Sequence, residues 1–386
     1  MGGEVVDGFV PPPYPYDRLD ELRTAADGFD GGCVDLSVGA PSDPPPSAVV
    51  AALSASDAER GYPASLGSAA YREAAVDWLA RRFGVDASGA EVAACVGTKE
   101  FVASVPHYLR LRDPSRDTVL YPAVSYPTYA MGATLAGCRA VPVPLDDNWC
   151  MDFDAVDPDD AARSLCLWVN SPGNPTGAID DLSAAARWGR KHRVSVFSDE
   201  CYIEFIWDGD AARSADTSIL SQGSDGVMAV HSLSKRSNLA GVRAGFYAGD
   251  PELVNYLSEV RKHAGMMTPG PVQAAAVTAF NDDGHVDAQR AVYRSRLARL
   301  RELLSPYAPD VGLPSGGLYL WAASPDGDGW SLTRRVADEL GALISPGEFY
   351  GPQGAGYARV AAVAPDAQIA LLEQRMSTRH SGTVRR

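Results

Sequence analysis

Short apolar runs and longer stretches of helical periodicity alternate through most of this chain. Val92–Val96, Val119–Tyr121, Ala140–Val143, Leu165–Val169, Ser195–Phe197 and Met228–Val230 are runs of strand length. Between them apolar residues recur at three- and four-residue steps, as with Ala70, Ala74, Trp78 and Leu79 within 68–83. Further helices are predicted from Thr98, from Tyr126 and near Ser183–Lys191. Strand and helix side chains repeat with different periods, so this alternation predicts an α/β fold: a mainly parallel sheet with helices on both faces.

The two ends read differently. Pro11-Pro-Pro-Tyr-Pro-Tyr16 is a stiff, extended lead-in to a short helix, Asp17–Ala26, and Asp35-Leu-Ser-Val-Gly39 reads as a strand ending at a glycine. Beyond about residue 275 a long polar-faced helix (Ala288–Leu304) precedes Gly316-Gly-Leu-Tyr-Leu-Trp321, another helix and the strand Tyr357–Val363. The expected division is a large domain over 46–274 and a smaller one built from 1–45 and 275–375. The tail 376–386 is polar, basic and aperiodic, and is expected to be disordered.

Composition narrows the function. The chain has 386 residues, 46% hydrophobic and 22% charged, as expected of a soluble enzyme of two domains. With 34 Lys+Arg against 49 Asp+Glu the net charge is −15, which disfavours nucleic acid and anionic membrane as partners. No apolar run approaches the ~20 residues of a membrane span. Met1–Val10 is acidic and glycine-rich, unlike a signal peptide, so a cytoplasmic address is expected. The six cysteines are scattered without C-x-x-C or metal-ligand spacing, which predicts thiols rather than a metal site.

Four strand-end motifs carry candidate chemistry. In His231-Ser-Leu-Ser-Lys235, followed by Arg243, a lysine leaves a buried-type strand among small residues with a second cation eight positions on. Most lysines are solvated surface groups. One held against a phosphate-bearing aldehyde, however, needs this setting, because desolvation and a neighbouring cation lower its pKa. Ser232 and Arg243 suit the phosphate. Asn170-Ser-Pro-Gly-Asn-Pro-Thr-Gly177 is either a plain turn or a ligand loop at the carboxyl end of a strand. Ser198-Asp-Glu-Cys-Tyr202 offers a carboxylate that caps a helix or pairs with a ring nitrogen. At Val96-Gly-Thr-Lys99 a strand gives way to a helix start, a ready phosphate seat.

Order joins them. Asn174, Asp199, Lys235 and Arg243 follow at intervals of 25, 36 and 8 residues. From about residue 33 to 370 the sequence resembles the class I/II aminotransferases of the fold-type-I pyridoxal-phosphate family. The resemblance implies a mainly parallel seven-stranded sheet between helices, a smaller α/β domain, a homodimer, and pyridoxal 5'-phosphate as cofactor. It also implies that Lys235 carries the cofactor, Asp199 pairs with the pyridine nitrogen, and Asn174 and Tyr202 bond the ring hydroxyl. The phosphate would sit on the backbone at Gly97, Thr98 and Lys99, with Ser232 and Arg243, and Tyr126 would stack on the ring. Tyr62, in Gly61-Tyr-Pro-Ala-Ser-Leu-Gly67, would reach the phosphate across a dimer interface. Gly39 would touch substrate, and Arg359 would grip the substrate α-carboxylate.

A finer resemblance concerns 231–246, Arg261-Lys-His-Ala-Gly-Met-Met267 and Ile344-Ser-Pro-Gly-Glu-Phe-Tyr-Gly-Pro352, which look like the bacterial N-succinyldiaminopimelate aminotransferases. It implies transfer between succinyl-diaminopimelate and 2-oxoglutarate. Lys262, His263 and Arg18 are then candidates for the additional carboxylates, or else ordinary surface charges. Aspartate-, glutamate-like or aromatic aminotransferases, a carbon–sulfur lyase and a non-catalytic ligand sensor are the competing readings. Arg236, beside the lysine, has no explanation at this level.

Overall fold

The computed structural model describes residues 8–55, 57–88, 91–207 and 215–383. Most of the Met1–Val10 stretch and the last three residues of the tail lie outside them. The strands are β1 (Val34–Asp35), β2 (Val92–Cys95), β3 (Thr118–Pro122), β4 (Arg139–Val143), β5 (Ser164–Asn170), β6 (Ser195–Asp199), β7 (Val227–Ser232), β8 (Gly245–Gly249), β9 (Tyr319–Ala323), β10 (Ala342–Leu343), β11 (Ser345–Pro346) and β12 (Tyr357–Ala361).

Seven of them form one sheet in the order β2-β8-β7-β6-β5-β3-β4. The pairs from β7 through β6, β5 and β3 to β4 are parallel, whereas β8 runs antiparallel to both β7 and β2. Every residue of β5 and β7 is buried, which is why Leu165–Val169 and Met228–Val230 within them read as apolar runs. β8 was not anticipated: it is five residues long with a glycine at each end, which leaves little side-chain pattern to read. The helices between strands close as local chemistry dictates. Ala69–Phe83 starts where the Ser68 hydroxyl accepts from the Tyr71 amide at 3.2 Å and ends at Gly84 in a left-handed conformation.

Three expectations are corrected. The boundary placed after residue 274 falls inside the helix Gly270–Phe280, whose Ala275, Ala276, Ala279 and Phe280 pack with Tyr71, Trp78 and Phe246 of the large sheet's core. The strand expected over Asp35–Gly39 stops at Asp35. That carboxylate accepts from the Ser37 amide (2.8 Å) and hydroxyl (2.6 Å) and so turns the chain out of its pairing with β10. The tail does not begin at Met376, because the helix Asp366–Thr383 runs through it. Met376 rests on the core of the second cluster and Arg379 donates to the Glu339 carbonyl at 2.5 Å. These are tertiary contacts with no signature in periodicity.

The second cluster gathers Val34 and Leu36 with Leu297, Leu300, Val336, Val360 and Ile369 around the antiparallel sheet β11-β12-β9. It brings residues from both ends of the chain together, and Arg359 and Tyr319 of its sheet meet Asn174 and Tyr202 just beyond the ends of β5 and β6. Among the described residues no helix is long and apolar enough to cross a membrane.

Candidate active site

The carboxyl ends of the strands open into a cleft of about 440 Å³. Gly39, Thr98, Lys99, Tyr126, Asn174, Asp199, Tyr202, Ser232, Lys235, Arg243 and Arg359 all line it, although they come from seven separate stretches of sequence. Tyr62 does not: it is 97% exposed and outside the cleft of its own chain.

Lys235 sits on a four-residue helix, Leu233–Arg236, that follows β7 directly. Its Nζ donates to the Gly39 carbonyl. Burial pushes the ammonium down to about 8, with Arg359 and Arg243 adding to the depression and Cys201 opposing it. Asp199 ends β6, and its two oxygens accept from the Tyr129 hydroxyl (2.8 Å) and the Cys201 amide (3.2 Å). Burial raises the pKa of this carboxyl, and the Cys201 and Tyr129 hydrogen bonds counter the rise only in part.

At the other end of the cleft the helix Thr98–Arg112 begins with no side chain capping its first amides. Gly97 has φ 75°, and a Cβ placed on it would lie 2.1 Å from Arg243 Nη2, so only glycine lets the guanidinium close on this helix start. Arg243 itself has φ 60°, held there while its Nη1 donates to the Ala240 carbonyl at 2.9 Å. The Ser232 hydroxyl caps the lysine helix by accepting from the Ser234 amide at 3.1 Å.

Arg359, on β12, is 1% exposed. It donates to Asn174 Oδ1 (2.8 Å), the Ser37 carbonyl (2.5 Å) and the Tyr16 hydroxyl (3.1 Å). Its carbon centre lies 4.2 Å from the Tyr319 ring centroid, and its Nε is buried with no acceptor among the described residues. Tyr319 also shares a hydrogen bond with Tyr202, oxygen to oxygen at 2.8 Å. A Cβ on Gly39 would fall 2.0 Å from the Tyr319 hydroxyl, so the backbone there passes unusually close.

Tyr16, Tyr129, Asn170 and Tyr319 are site residues that sequence reasoning did not name. Each lies within a stretch it did quote: the proline-rich lead-in, the Ser125–Tyr129 segment, the Asn170–Gly177 loop and Gly316–Trp321. Asn170 bridges two of the motifs, donating to the Asp199 carbonyl (2.9 Å) and accepting from the Asn174 amide (2.9 Å). The candidates for extra substrate carboxylates are displaced. Lys262 and His263 are exposed on a helix end, Lys262 beside Glu259 (3.6 Å), and Arg18 pairs with Glu348 (3.3 Å). Lys99 does line the cleft, with Lys235, Arg243 and Arg359, its Nζ 5.3 Å from the Tyr14 ring and 5.4 Å from the Tyr126 ring.

Known proteins resemble this chain in sequence and in fold. The chain is 40% identical over 371 residues to the 4-dedimethylamino-4-oxo-anhydrotetracycline transaminase of Streptomyces rimosus, covering 95% of this chain and 99% of that one. It is 32% identical over 373 residues to the LL-diaminopimelate aminotransferase of Dehalococcoides mccartyi, covering 93% and 94%. Among solved structures, a probable N-succinyldiaminopimelate aminotransferase from Thermus thermophilus superposes with a TM-score of 0.81 at 29% identity, covering 93% of this chain and 98% of that one. Residues 32–374 match the family described as aminotransferase class I and II, and the chain belongs to that family of pyridoxal-phosphate-dependent enzymes.

Proposed function

We propose that this aminotransferase takes a donor with a second carboxylate remote from its α-carbon, N-succinyl-LL-2,6-diaminopimelate, and passes the amino group to 2-oxoglutarate. The observation that carries the reading is that two cations, Arg359 and Lys99, line the cleft in addition to Lys235 and Arg243. Arg359 has a buried donor to spare, and Lys99 makes no ion pair among the described residues. A diaminopimelate-type donor or 2-oxoglutarate brings two anionic ends to such a site. The likeness to diaminopimelate and succinyldiaminopimelate aminotransferases supports it.

The residues fit the cofactor. The uncapped helix start beside Gly97, closed by Arg243, suits a phosphate. A desolvated Lys235 amine suits an aldehyde, and a buried Asp199 carboxyl becomes a stable anion once a cationic ring nitrogen faces it. Bound there, pyridoxal phosphate supplies the electron sink that loosens the donor's α-hydrogen. In this reading Arg359 and Asn174 fix the α-carboxylate, which aims that hydrogen at Lys235, and Lys235 is the base that receives and returns it. Tyr202 and Asn174 would hold the ring hydroxyl, Ser232 would help with the phosphate, and Tyr126 would flank the ring. Exposure of Tyr62 supports a homodimer in which it serves the partner's cleft.

Replacing Lys235 with Ala should end both turnover and the visible band of the bound cofactor. A donor panel against 2-oxoglutarate, scored by glutamate formed, tests the substrate. Lys99→Met should raise KM for diaminopimelate-type donors about tenfold and leave alanine nearly unchanged. Faster use of aromatic donors, or pyruvate release from sulfur amino acids without an acceptor, would overturn the assignment. A second reading, amination of a polycyclic ketone, is favoured by the Streptomyces relative and by the Tyr14, Tyr16 and Tyr126 rings at the cleft. A tetracyclic ketone in the same panel decides between them.

A further inference from the structure

Directly behind the cofactor lysine lies a buried ion cluster that the chemistry above leaves unused. Arg236 follows Lys235 on the same short helix but points away from the cleft, 2% exposed. Its Nε donates to Glu204 Oε1 at 3.3 Å, its Nη1 to the Ala279 carbonyl at 2.6 Å, and its Nη2 approaches Asp283 at 3.5 Å. Glu204, 3% exposed, also accepts from Trp78 Nε1 at 2.8 Å and from Arg82 at 2.6 Å. It stands two residues after Tyr202, on the turn Ile203–Phe205. Arg82 reaches on to Asp287 at 3.0 Å, and Arg81 holds Asp283 at 2.7 Å.

We propose that Glu204 and Arg236 are positioning residues that lock the Lys235 turn to the Tyr202 turn, so that one buried ion pair sets where the reactive amine stands. A four-residue helix has too few internal hydrogen bonds to hold its own orientation. Arg236 supplies the missing constraint from behind, through a fork whose geometry a lysine cannot copy. The same carboxylate fixes the turn that carries Tyr202, so the two sides of the cofactor move together or not at all. This assignment also gives Arg236 the explanation that sequence alone withheld.

The inference rests on Lys235 being the cofactor's lysine, and the test separates the two. Glu204→Gln, Arg236→Met and Arg236→Lys are purified with pyridoxal phosphate. For each, kcat, KM, the pH midpoint of the bound cofactor's visible band, the cofactor Kd from titration into stripped protein, and the melting temperature are measured. Glu204→Gln and Arg236→Met should lower kcat about tenfold with KM within about twofold, and move the band's pH midpoint by about half a unit or more. Arg236→Lys should show the same shifts at smaller size, and it is the variant that decides should the other two fail to fold. A fall in melting temperature alone, with kcat, midpoint and Kd unchanged per loaded molecule, would overturn the positioning role. A band that survives Lys235→Ala would instead overturn the cofactor assignment.

Discussion

At the scale of single residues the site is governed by desolvation. Lys235 is held near 8 by burial and by two neighbouring guanidinium groups, against about 10.4 for a free lysine. Below that value the amine is protonated and cannot attack an aldehyde. The rate at which cofactor-free protein captures pyridoxal phosphate should therefore rise with pH and level off above about 8. Arg359→Gln removes one of the depressing cations, so the midpoint should move upward; a stopped-flow pH series reads both. Tyr319→Phe removes the hydroxyl shared with Tyr202 but keeps the ring under Arg359. One hydrogen bond of this kind is worth about 1 kcal/mol, so kcat/KM should fall several-fold while melting is little changed.

At the scale of elements, junctions matter more than the elements themselves. The four motifs Val96–Lys99, Asn170–Gly177, Ser198–Tyr202 and His231–Lys235 stand where strands of the large sheet end, because a parallel sheet leaves its carboxyl edge free for loops to converge. The helix start at Thr98 lies open to the Arg243 guanidinium because Gly97 adopts φ 75° and carries no side chain. Gly97→Ala should therefore strain the backbone and push Arg243 aside. The expected result is a cofactor Kd at least tenfold weaker by absorbance titration, with the fold's circular dichroism retained. The helix Gly270–Phe280 shows what patterning missed: its Ala-rich face carries almost no amphipathic contrast, yet it buries four residues in the large core.

At the scale of the whole molecule, long-range ion pairs join the two ends of the chain to the middle. Arg296, 2% exposed on the helix Gly284–Leu304, donates to both oxygens of Asp43 at 2.6 and 2.9 Å and reaches Asp366 at 3.2 Å. This clamps the loop after Gly39 to the start of the final helix. Arg296→Met should lower the unfolding free energy by about 2 kcal/mol in a urea titration, since it strips charged hydrogen bonds while filling most of the volume. The terminal helix is tied in similarly, Arg375 donating at 2.6 Å to the carbonyls of Asp30 and of Gly32. Truncation after residue 365 should thus weaken the second cluster rather than merely trim a tail.

Local chemistry determined a great deal of this protein before any contact was known. Buried strands announced themselves as apolar runs, glycine and proline marked the loops at their ends, and a lysine among small residues next to an arginine carried its own chemical reason. Those are properties of one residue and its near neighbours. What only the folded structure decided is distance between remote segments. Tyr16 reaches Arg359, Glu204 stands behind Lys235, Lys99 rather than Lys262 faces the cleft, and Arg379 of the basic tail finds the Glu339 carbonyl. Such pairings depend on how sheets and helices pack in three dimensions, a relation that sequence spacing does not encode.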